Sequence, residues 1–449
     1  MAGIITRQLE FEMASRLFED IEDSATTRYY IGVGKSEAWN DSDLATTPVS
    51  TEREERNFRD GLQSIKLVTD YSFVVVRNNW VSGRLYDGWD DAQEGISTAA
   101  YYVITEDNQV YLKQGKNNLG VAQVSTVKPT GVSSDTLVTS DGYVWKFLYS
   151  IDTTNANAFL SSAWMPVRLI DSAGTGDPAS NVEQYGIQNA AVNGEINDIT
   201  LISGGSGYTT APDVVISGDG TGAVGLATVS GGAVVKVEIK DSDNTLFKGS
   251  GYSRASISFT GGGGSSASAR PIIKRTGGFG KDPRQDLRAR SVMFDIQPNG
   301  NETGEWLVDN DFRQMGLLKN PMLFDSAERY TGISLNMLYA LKLTGASSGF
   351  TVGATVTGVS STASAIIDKL DSDLIYYHQT EATGFGQWSV GETVQDDATG
   401  TGTLSSDSAD YILEPIADPN TGQLLYIENR AAVVRATNQT EDIKIVLRM

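Results

Sequence analysis

The clearest structural signal in this 449-residue chain is the turn Asp141-Gly142 followed by Tyr143-Val144-Trp145-Lys146-Phe147-Leu148-Tyr149. Aromatic residues occupy every second position of this run. Because successive side chains of an extended chain point to opposite sides, the four rings lie on one side of a strand. The run therefore predicts a β-strand with one aromatic face.

The sequence on either side predicts further strands and one helix. Runs of β-branched and aromatic residues at 29–33 and 64–76 have the composition of strands, and residues 101–112 form a predicted hairpin around Asp107-Asn108. With 47 glycines, the composition favours short strands joined by turns over long helices. A helix is predicted near the start of the chain, where apolar residues recur every fourth position (Leu9, Met13, Leu17, Ile21).

Residues 189–275 form a glycine-rich region with an internal repeat. The tetrapeptide Gly-Ser-Gly-Tyr occurs at 205–208 and again at 249–252, which puts the two tyrosines 44 residues apart. Each copy precedes a predicted strand and a glycine-rich turn. Repeats of this kind bury a shared core only when they are stacked together, so we predict one small β domain here.

A second pair of short β units is predicted at residues 344–410. Phe350-Thr351-Val352-Gly353-Ala354-Thr355-Val356 is echoed by Trp388-Ser389-Val390-Gly391-Glu392-Thr393-Val394. We expect both regions to be small β domains inserted into a discontinuous host fold of residues 1–188, 276–343 and 411–449. The predicted fold class is therefore mainly β, with a β-sandwich-like host fold, a few helices and minor α+β character.

Composition limits the function classes that fit this chain. It has 56 acidic and 35 basic residues, and a net charge of −21 repels phosphate backbones, so we expect no nucleic-acid partner. The absence of cysteine excludes disulfides, cysteine-ligated zinc and cysteine nucleophiles. No apolar run is long enough for a signal peptide or a membrane span, so we expect no membrane insertion and assembly in the cytoplasm.

The candidate catalytic and metal motifs are all incomplete. Gly32-Val33-Gly34-Lys35-Ser36 resembles a phosphate loop, but Tyr29 stands where that loop needs its first glycine. His378 is the only histidine, which argues against a catalytic triad or a histidine metal site, and we expect it to be a partly buried structural residue. Asp241-Ser242-Asp243-Asn244 lacks the glycine and the final acid of a calcium loop. We expect no enzyme activity, cofactor or metal.

The C-terminal region carries a family resemblance. Tyr426-Ile427-Glu428-Asn429-Arg430 is followed by a short apolar run and then by Gln439-Thr440-Glu441-Asp442-Ile443-Lys444-Ile445. This ending resembles that of the T4-like phage baseplate wedge proteins known as the gene product 8 family. Those proteins also end in a Tyr-x-Glu-Asn-Arg segment, an apolar run and a Gln-Thr-Glu strand.

Four earlier segments are similar to the same family, in the same order. They are Gly34-Lys35-Ser36-Glu37-Ala38-Trp39, Val76-Arg77-Asn78-Asn79-Trp80, the aromatic strand at 141–149, and Phe312-Arg313-Gln314 with Lys319-Asn320-Pro321. Ala38 departs from the family's proline, and Asn78-Asn79 replace a more charged pair. The residues that the resemblance marks as structural or interface candidates are Gly34, Ser36, Glu37, Trp39, Trp80, Tyr143, Trp145, Phe312, Arg313, Gln314, Asn320, Pro321, Tyr426, Glu428, Asn429, Arg430, Gln439, Thr440 and Glu441.

The resemblance implies a structural subunit of the baseplate wedge of a contractile phage tail. Such a subunit would be a homodimer that contacts other wedge proteins, belongs to the tail baseplate of the virion, is assembled in the host cytoplasm and takes part in baseplate rearrangement during infection. Two alternatives stay open. The glycine-rich repeats also suit a receptor- or carbohydrate-binding tail adhesin, and unpaired carboxylates could serve a glycan-active enzyme.

Overall fold

The computed structural model describes residues 4–93, 100–115, 123–308 and 310–449. Strands make up 39% of the chain and helices 12%, so the prediction of a mainly β fold is confirmed. The described residues form two compact units. Unit 1 comprises the chain up to Ser15, Ser72–Met293 and Leu447–Met449, and unit 2 comprises Arg16–Tyr71 and Phe294–Val446.

The elements are numbered along the chain. The helices are α1 Arg7–Glu22, α2 Glu52–Asp60, α3 Thr153–Phe159, α4 Ala179–Asn189 and α5 Pro283–Asp286. The strands are β1 Tyr29–Gly34, β2 Leu62–Leu67, β3 Asp70–Val76, β4 Tyr102–Ile104, β5 Gln109–Lys113, β6 Thr136–Val138, β7 Val144–Ser150, β8 Trp164–Val167, β9 Ile196–Ser206, β10 Asp213–Gly218, β11 Thr221–Ala223, β12 Gly225–Ser230, β13 Ala233–Glu238, β14 Lys248–Ser250, β15 Ala255–Thr260, β16 Ser265–Ile273, β17 Ser291–Ile296, β18 Asp311–Lys319, β19 Ser334–Asn336, β20 Tyr339–Lys342, β21 Thr355–Gly358, β22 Ser364–Asp371, β23 Leu374–His378, β24 Thr393–Asp396, β25 Thr401–Thr403, β26 Ile412–Leu413, β27 Gln423–Val434 and β28 Ile443–Arg448.

Unit 2 contains a five-stranded antiparallel sheet in the order β19-β2-β1-β18-β27. Helix α2 begins because the Thr51 side chain accepts a hydrogen bond from the Glu54 N–H, which satisfies an unpaired amide of the first turn. The helix buries Phe58 on β18, where a Cβ at Gly316 would lie 2.5 Å from the Phe58 ring. Glycine at that position is therefore required for α2 to lie directly on the sheet.

Unit 2 also contains a seven-stranded sheet in the order β25-β24-β21-β22-β23-β20-β26. Its core is formed by aliphatic and aromatic side chains that include Leu341, Val356, Ile367, Ile375 and Trp388. The sheet includes β20 and β26, which lie just outside residues 344–410. The second predicted insertion thus shares its sheet with one short strand on each side.

Unit 1 contains the predicted aromatic strand, β7, in a four-stranded sheet ordered β4-β5-β7-β6. Tyr143, Trp145 and Phe147 are buried as expected, but the opposite side of the strand is buried as well. Lys146 is only 6% exposed and Leu148 is fully buried. The predicted strand with one aromatic face is present, and the structure adds that its other side is covered too. Ile187 of α4 belongs to the same core as the rings.

The glycine-rich repeat of unit 1 folds as a reciprocal pair. Strands β10 and β15, one from each copy, pair antiparallel. A Cβ at Gly264 would lie 2.4 Å from the ring of Tyr208, and a Cβ at Gly220 would lie 2.4 Å from the ring of Tyr252. Each repeat therefore places its tyrosine on the glycine-rich turn of the other, and both rings are 5% exposed.

Two local predictions are confirmed. Helix α1, Arg7–Glu22, contains all four of the regularly spaced apolar residues that predicted it. Strands β4 and β5 form the predicted hairpin, with Asn108 at a φ of 56°. The predicted division into a host fold and two insertions stays a prediction. Residues 189–275 lie within unit 1 and residues 344–410 within unit 2, whereas residues assigned to the host fold occur in both units.

Candidate functional site

Most of the residues marked by the family resemblance lie in unit 2, and all of these except residues 439–441 lie on or beside β1, β18 and β27. Trp80, Tyr143 and Trp145 belong to unit 1 instead. Trp80 donates its indole N–H to Ser125 Oγ at 3.1 Å, and Tyr143 and Trp145 are buried in the aromatic core. These three side chains therefore support packing in unit 1 and are not part of the cluster in unit 2.

Arg313 on β18 organises the cluster. Its Nε and Nη2 each lie 2.8 Å from a carboxylate oxygen of Asp43, and Nη2 lies 3.1 Å from Asp311 Oδ2. Its Nη1 also donates to the carbonyl of Ser36. The forked contact raises the pKa of Arg313 and lowers that of Asp43. It attaches the loop after β1 to β18, an inner strand of the sheet.

The same loop reaches β27 through Trp39. Its indole N–H donates to the carbonyl of Arg430 at 2.9 Å, and its backbone N–H donates to Asp43 Oδ1 at 3.0 Å. Arg430 lies next to an irregularity of the β18–β27 ladder, where the register shifts between Phe312 and Gln314. This β-bulge frees the carbonyl that Trp39 uses.

Asn429 fixes the neighbouring part of β27. Gln314 Nε2 donates to Asn429 Oδ1 at 2.8 Å, and Asn429 Nδ2 lies 3.4 Å from Glu54 Oε1 on α2. Tyr426 donates its hydroxyl to Glu428 Oε2 at 3.0 Å. The Tyr-x-Glu-Asn-Arg segment is thus held by one neighbouring strand, one helix and one loop.

Strand β27 is the last strand of its sheet. In the part of the chain that the structure describes, no strand pairs with its outer edge. Its 12 residues contain neither proline nor lysine, which commonly block an edge, although the bulge beside Arg430 interrupts its regular geometry. Leu425 is 44% exposed and Val434 63%. A free edge of this length offers backbone N–H and C=O groups that can pair with a strand of another chain.

Ser36 and Glu37 belong to a buried polar cluster around Asp368 on β22. Asp368 Oδ1 accepts hydrogen bonds from Ser36 Oγ at 3.0 Å, Gln63 Nε2 at 3.0 Å and Asn310 Nδ2 at 3.1 Å. Its Oδ2 contacts Nδ1 of His378 on β23. The cluster joins the seven-stranded sheet to the five-stranded sheet within unit 2.

His378 lies between two carboxylates. Its Nε2 is 3.3 Å from Glu37 Oε2, an ion-pair distance whose angle does not make a hydrogen bond. Burial alone would lower the pKa of His378, but Asp368 and Glu37 outweigh it and raise that pKa to about 10. Burial would raise the pKa of Glu37, yet His378 and Lys35 hold it at about 2. His378 is 3% exposed, so it is more deeply buried than we expected from the sequence. Together His378, Asp368 and Glu37 form a buried ion-pair network.

The Gln-Thr-Glu segment, residues 439–441, forms the second part of the C-terminal motif and packs on residues 299–307. Glu441 Oε2 lies 2.7 Å from Nε of Arg435, whose Nη2 donates to the Gly300 carbonyl at 2.9 Å. The Gly300 N–H donates to the Gln439 carbonyl at 2.9 Å, and Thr440 Oγ1 donates to Asn299 Oδ1 at 3.1 Å. This segment is therefore clamped on residues 299–307 by Arg435, which is 2% exposed.

The remaining candidates shape the backbone. A Cβ at Gly34 would lie 2.2 Å from the Gly61 carbonyl oxygen, so the end of β1 needs glycine. Asn320 has a φ of 53° and accepts the Arg28 N–H at 2.7 Å. The Pro321 carbonyl accepts the Tyr330 N–H at 2.8 Å, and Phe312 is buried.

Sequence reasoning missed Glu54 and Arg435, which hold the C-terminal motif. It also missed Asp43 and three residues of the buried cluster, Gln63, Asn310 and Asp368. Asn40 accepts the Ser42 N–H at 3.0 Å, so turn-forming residues were the only local signal near Asp43. The three cluster residues carry no local signal, because each acts on a residue that is distant in sequence.

Two cavities flank the C-terminal end of α2. One measures about 220 Å³ and is lined by Lys35, Glu37, Trp39 and Gln314 among others. The second measures about 850 Å³ and is lined by Asp60, His378 and several aromatic residues. Within the described residues, no group of three or more His, Asp or Glu side chains could hold a metal ion.

No family model matches this chain, and no curated protein is significantly similar to it in sequence. In the ranges that the structure describes, none of the helices combines the length and the apolar character needed to cross a membrane.

Proposed function

We propose that this chain is a structural subunit of the baseplate wedge of a contractile phage tail, which assembles by protein–protein contacts and takes part in baseplate rearrangement. The proposal rests on five segments that resemble one family in the same order. It is supported by one observation above all: the most specific of these segments, residues 426–430, forms a free sheet edge that β18, α2 and the loop after β1 hold in place.

The charges on β27 favour a second copy of the chain as the partner at this edge. If two β27 strands pair antiparallel about Asn429, Glu428 of each copy lies opposite the partner's Arg430. Opposite charges at directly facing positions stabilise a strand pair, and a two-fold axis makes this contact twice. Arg430 contacts Met315 Sδ at 3.2 Å and has no ion pair among the described residues, so its charge is available.

Charge reversal tests this dimer. In E428R or R430E, like charges face each other at both positions, so we expect dimerisation to weaken by about tenfold. In E428R/R430E the pairs are restored with inverted sign, and the dimer should recover. Sedimentation equilibrium over a range of protein concentrations measures the three variants. Single variants that dimerise like the parent, or a double variant that does not recover, would contradict pairing through β27.

The wedge assignment is tested by light scattering of the purified chain, alone and mixed with candidate neighbouring wedge proteins. A dimer that forms a larger stable complex with those neighbours supports the assignment. A trimer that ignores them would contradict it and favour the adhesin alternative, for which glycan binding is the decisive assay.

A further inference from the structure

The cavity of about 850 Å³ in unit 2 is a groove with an aromatic lining. Buried Tyr377 and Trp388 belong to its lining, together with the half-buried Tyr339 and Tyr411. Phe385 also lines it and is 57% exposed, which is unusual for a large apolar ring. The volume falls in the range of cavities that bind small molecules, so the groove has room for side chains of a partner.

Carboxylates surround this aromatic lining. Asp60 and Glu414 line the groove. Burial and then the nearby charges of Asp325 and Asp418 raise the pKa of Glu414. Burial and the same three carboxylates raise the pKa of Tyr339 to about 12. Asp325 and Asp418 are the chain neighbours of two lining residues, Phe324 and Pro419.

The acidic rim is not neutralised by pairing. Asp60, Asp325, Glu414 and Asp418 form no ion pair within the residues that the structure describes. Two basic residues line the groove, Arg59 and His378. The charge of His378 is offset by Asp368 and Glu37 at its two ring nitrogens. The Arg59 guanidinium donates three hydrogen bonds, to the carbonyls of Pro419, Thr421 and Gly422 at 2.6 to 2.9 Å, and so fixes the segment that forms one wall.

Aromatic faces beside unpaired carboxylates form a site for cations. The negative face of an aromatic ring attracts ammonium and guanidinium groups, and the carboxylates add direct ion pairs. We infer that this groove binds an extended, lysine- or arginine-bearing segment of a partner protein. The inference rests on the proposed role in assembly for its biological setting, but the groove is a second contact with its own chemistry, separate from the β27 edge.

Fluorescence anisotropy with a labelled octapeptide of alternating lysine and glycine tests this inference. The full-length chain should bind this peptide, and the affinity should fall about tenfold between 50 and 500 mM NaCl because rim charges are screened. An octapeptide of alternating glutamate and glycine should not bind. A neutral maltohexaose should not compete, and competition by this sugar would identify the groove as a glycan site and overturn the inference.

Matched variants separate the groove from the general acidity of the chain. D325N/E414Q removes two rim charges without changing shape and should weaken peptide binding by about fivefold. D171N/D243N removes two exposed charges from unit 1 and should leave binding unchanged. F385A should weaken binding by about threefold through loss of the cation–π contact, whereas F247A, which removes a similarly exposed ring from unit 1, should not.

Equal effects of the groove variants and their controls would overturn the inference, because the peptide would then be attracted by net charge alone. Failure of the parent chain to bind the peptide would overturn it as well. Dimerisation, measured on the same samples, is a separate readout. Loss of the dimer with intact peptide binding argues against the proposed assembly role, and an intact dimer without peptide binding argues only against the groove.

Discussion

Two charged residues hold the candidate site together in different ways. Arg313 is always charged and makes a forked contact with Asp43, so its contribution does not depend on pH near neutrality. His378 is charged only because Asp368 and Glu37 lie against its two ring nitrogens. A neutral imidazole would leave Asp368 and Glu37 without the cation that lies between them, so this cluster is a pH-sensitive part of unit 2.

The pH dependence of stability tests this view of His378. Its pKa is raised from 6.5 to about 10 in the folded chain, so its stabilising effect is complete below pH 6.5 and is lost as the pH rises through about 10. We expect the free energy of unfolding of the parent, relative to H378Q, to fall by at most about 1.4 kcal/mol per pH unit in this window. Urea unfolding of both proteins between pH 6 and 10 measures the difference.

Glu37 sets the acid side of the same test. Its folded pKa is about 2, against 4.5 in an unfolded chain, so the stabilisation it gives is present above pH 4.5 and is lost as the pH falls towards 2. E37Q is the control, because a variant without this carboxylate should not lose that part of its stability as the pH falls. A parent and an H378Q variant with parallel pH profiles above pH 6.5 would show that His378 is neutral in the folded chain.

At the scale of elements, each of the two Gly-Ser-Gly-Tyr copies completes the packing of the other. The ring of Tyr208 needs the turn at Gly264, and the ring of Tyr252 needs the turn at Gly220. Strand pairing also joins the two copies: β9 and β11 of the first copy pair with β16 and β14 of the second. The sequence repeat is therefore one structural unit with two interlocked halves.

Adding one methyl group at a contact between the halves tests the exchange. In G264A, the new Cβ would lie 2.4 Å from the Tyr208 ring, so ring or backbone must move, and overpacking of this kind costs about 1–3 kcal/mol. We expect a lower urea midpoint for unit 1. G174A is the control, because a Cβ at Gly174 has no neighbour within 4 Å. A G264A variant as stable as G174A would mean that Tyr208 is not seated on this turn.

At the scale of the whole molecule, the question is whether the repeat region, residues 189–275, can be removed without unfolding the rest of unit 1. Strands β9 to β16 pair with one another, and their buried core is drawn from residues 196–273. The region also begins and ends at the same place, because Ile196 and Ile273 are direct partners in the β9–β16 ladder. A short linker can therefore replace the whole region without stretching the chain.

Deletion of residues 189–275, with a short glycine–serine linker in their place, should leave a soluble and folded remainder. Far-UV circular dichroism and a cooperative thermal transition measure this outcome, and the deletion should also keep the β27-dependent dimer, since β27 lies in unit 2. An insoluble product, or one without a cooperative transition, would contradict the prediction of a separate inserted domain.

Local pattern was enough to predict individual elements of this protein. The helix α1, the hairpin β4–β5 and the strand β7 are each specified by neighbours a few residues apart, through the periodicity of apolar side chains and the turn residues between them. The burial of Lys146 was missed because the alternation in β7 shows which residues share a side, but not what covers each side.

The sequence by itself determined that this chain is mainly β, contains a Gly-Ser-Gly-Tyr repeat and ends in a motif of Tyr, Glu, Asn and Arg. Only the tertiary structure decided that this motif is a free sheet edge and that Asp368, His378 and Glu37 meet in one buried cluster. The reason is physical. A strand is specified by its own side chains, whereas an edge and an ion-pair cluster depend on which distant segments lie beside it, and those contacts arise from packing of the whole unit.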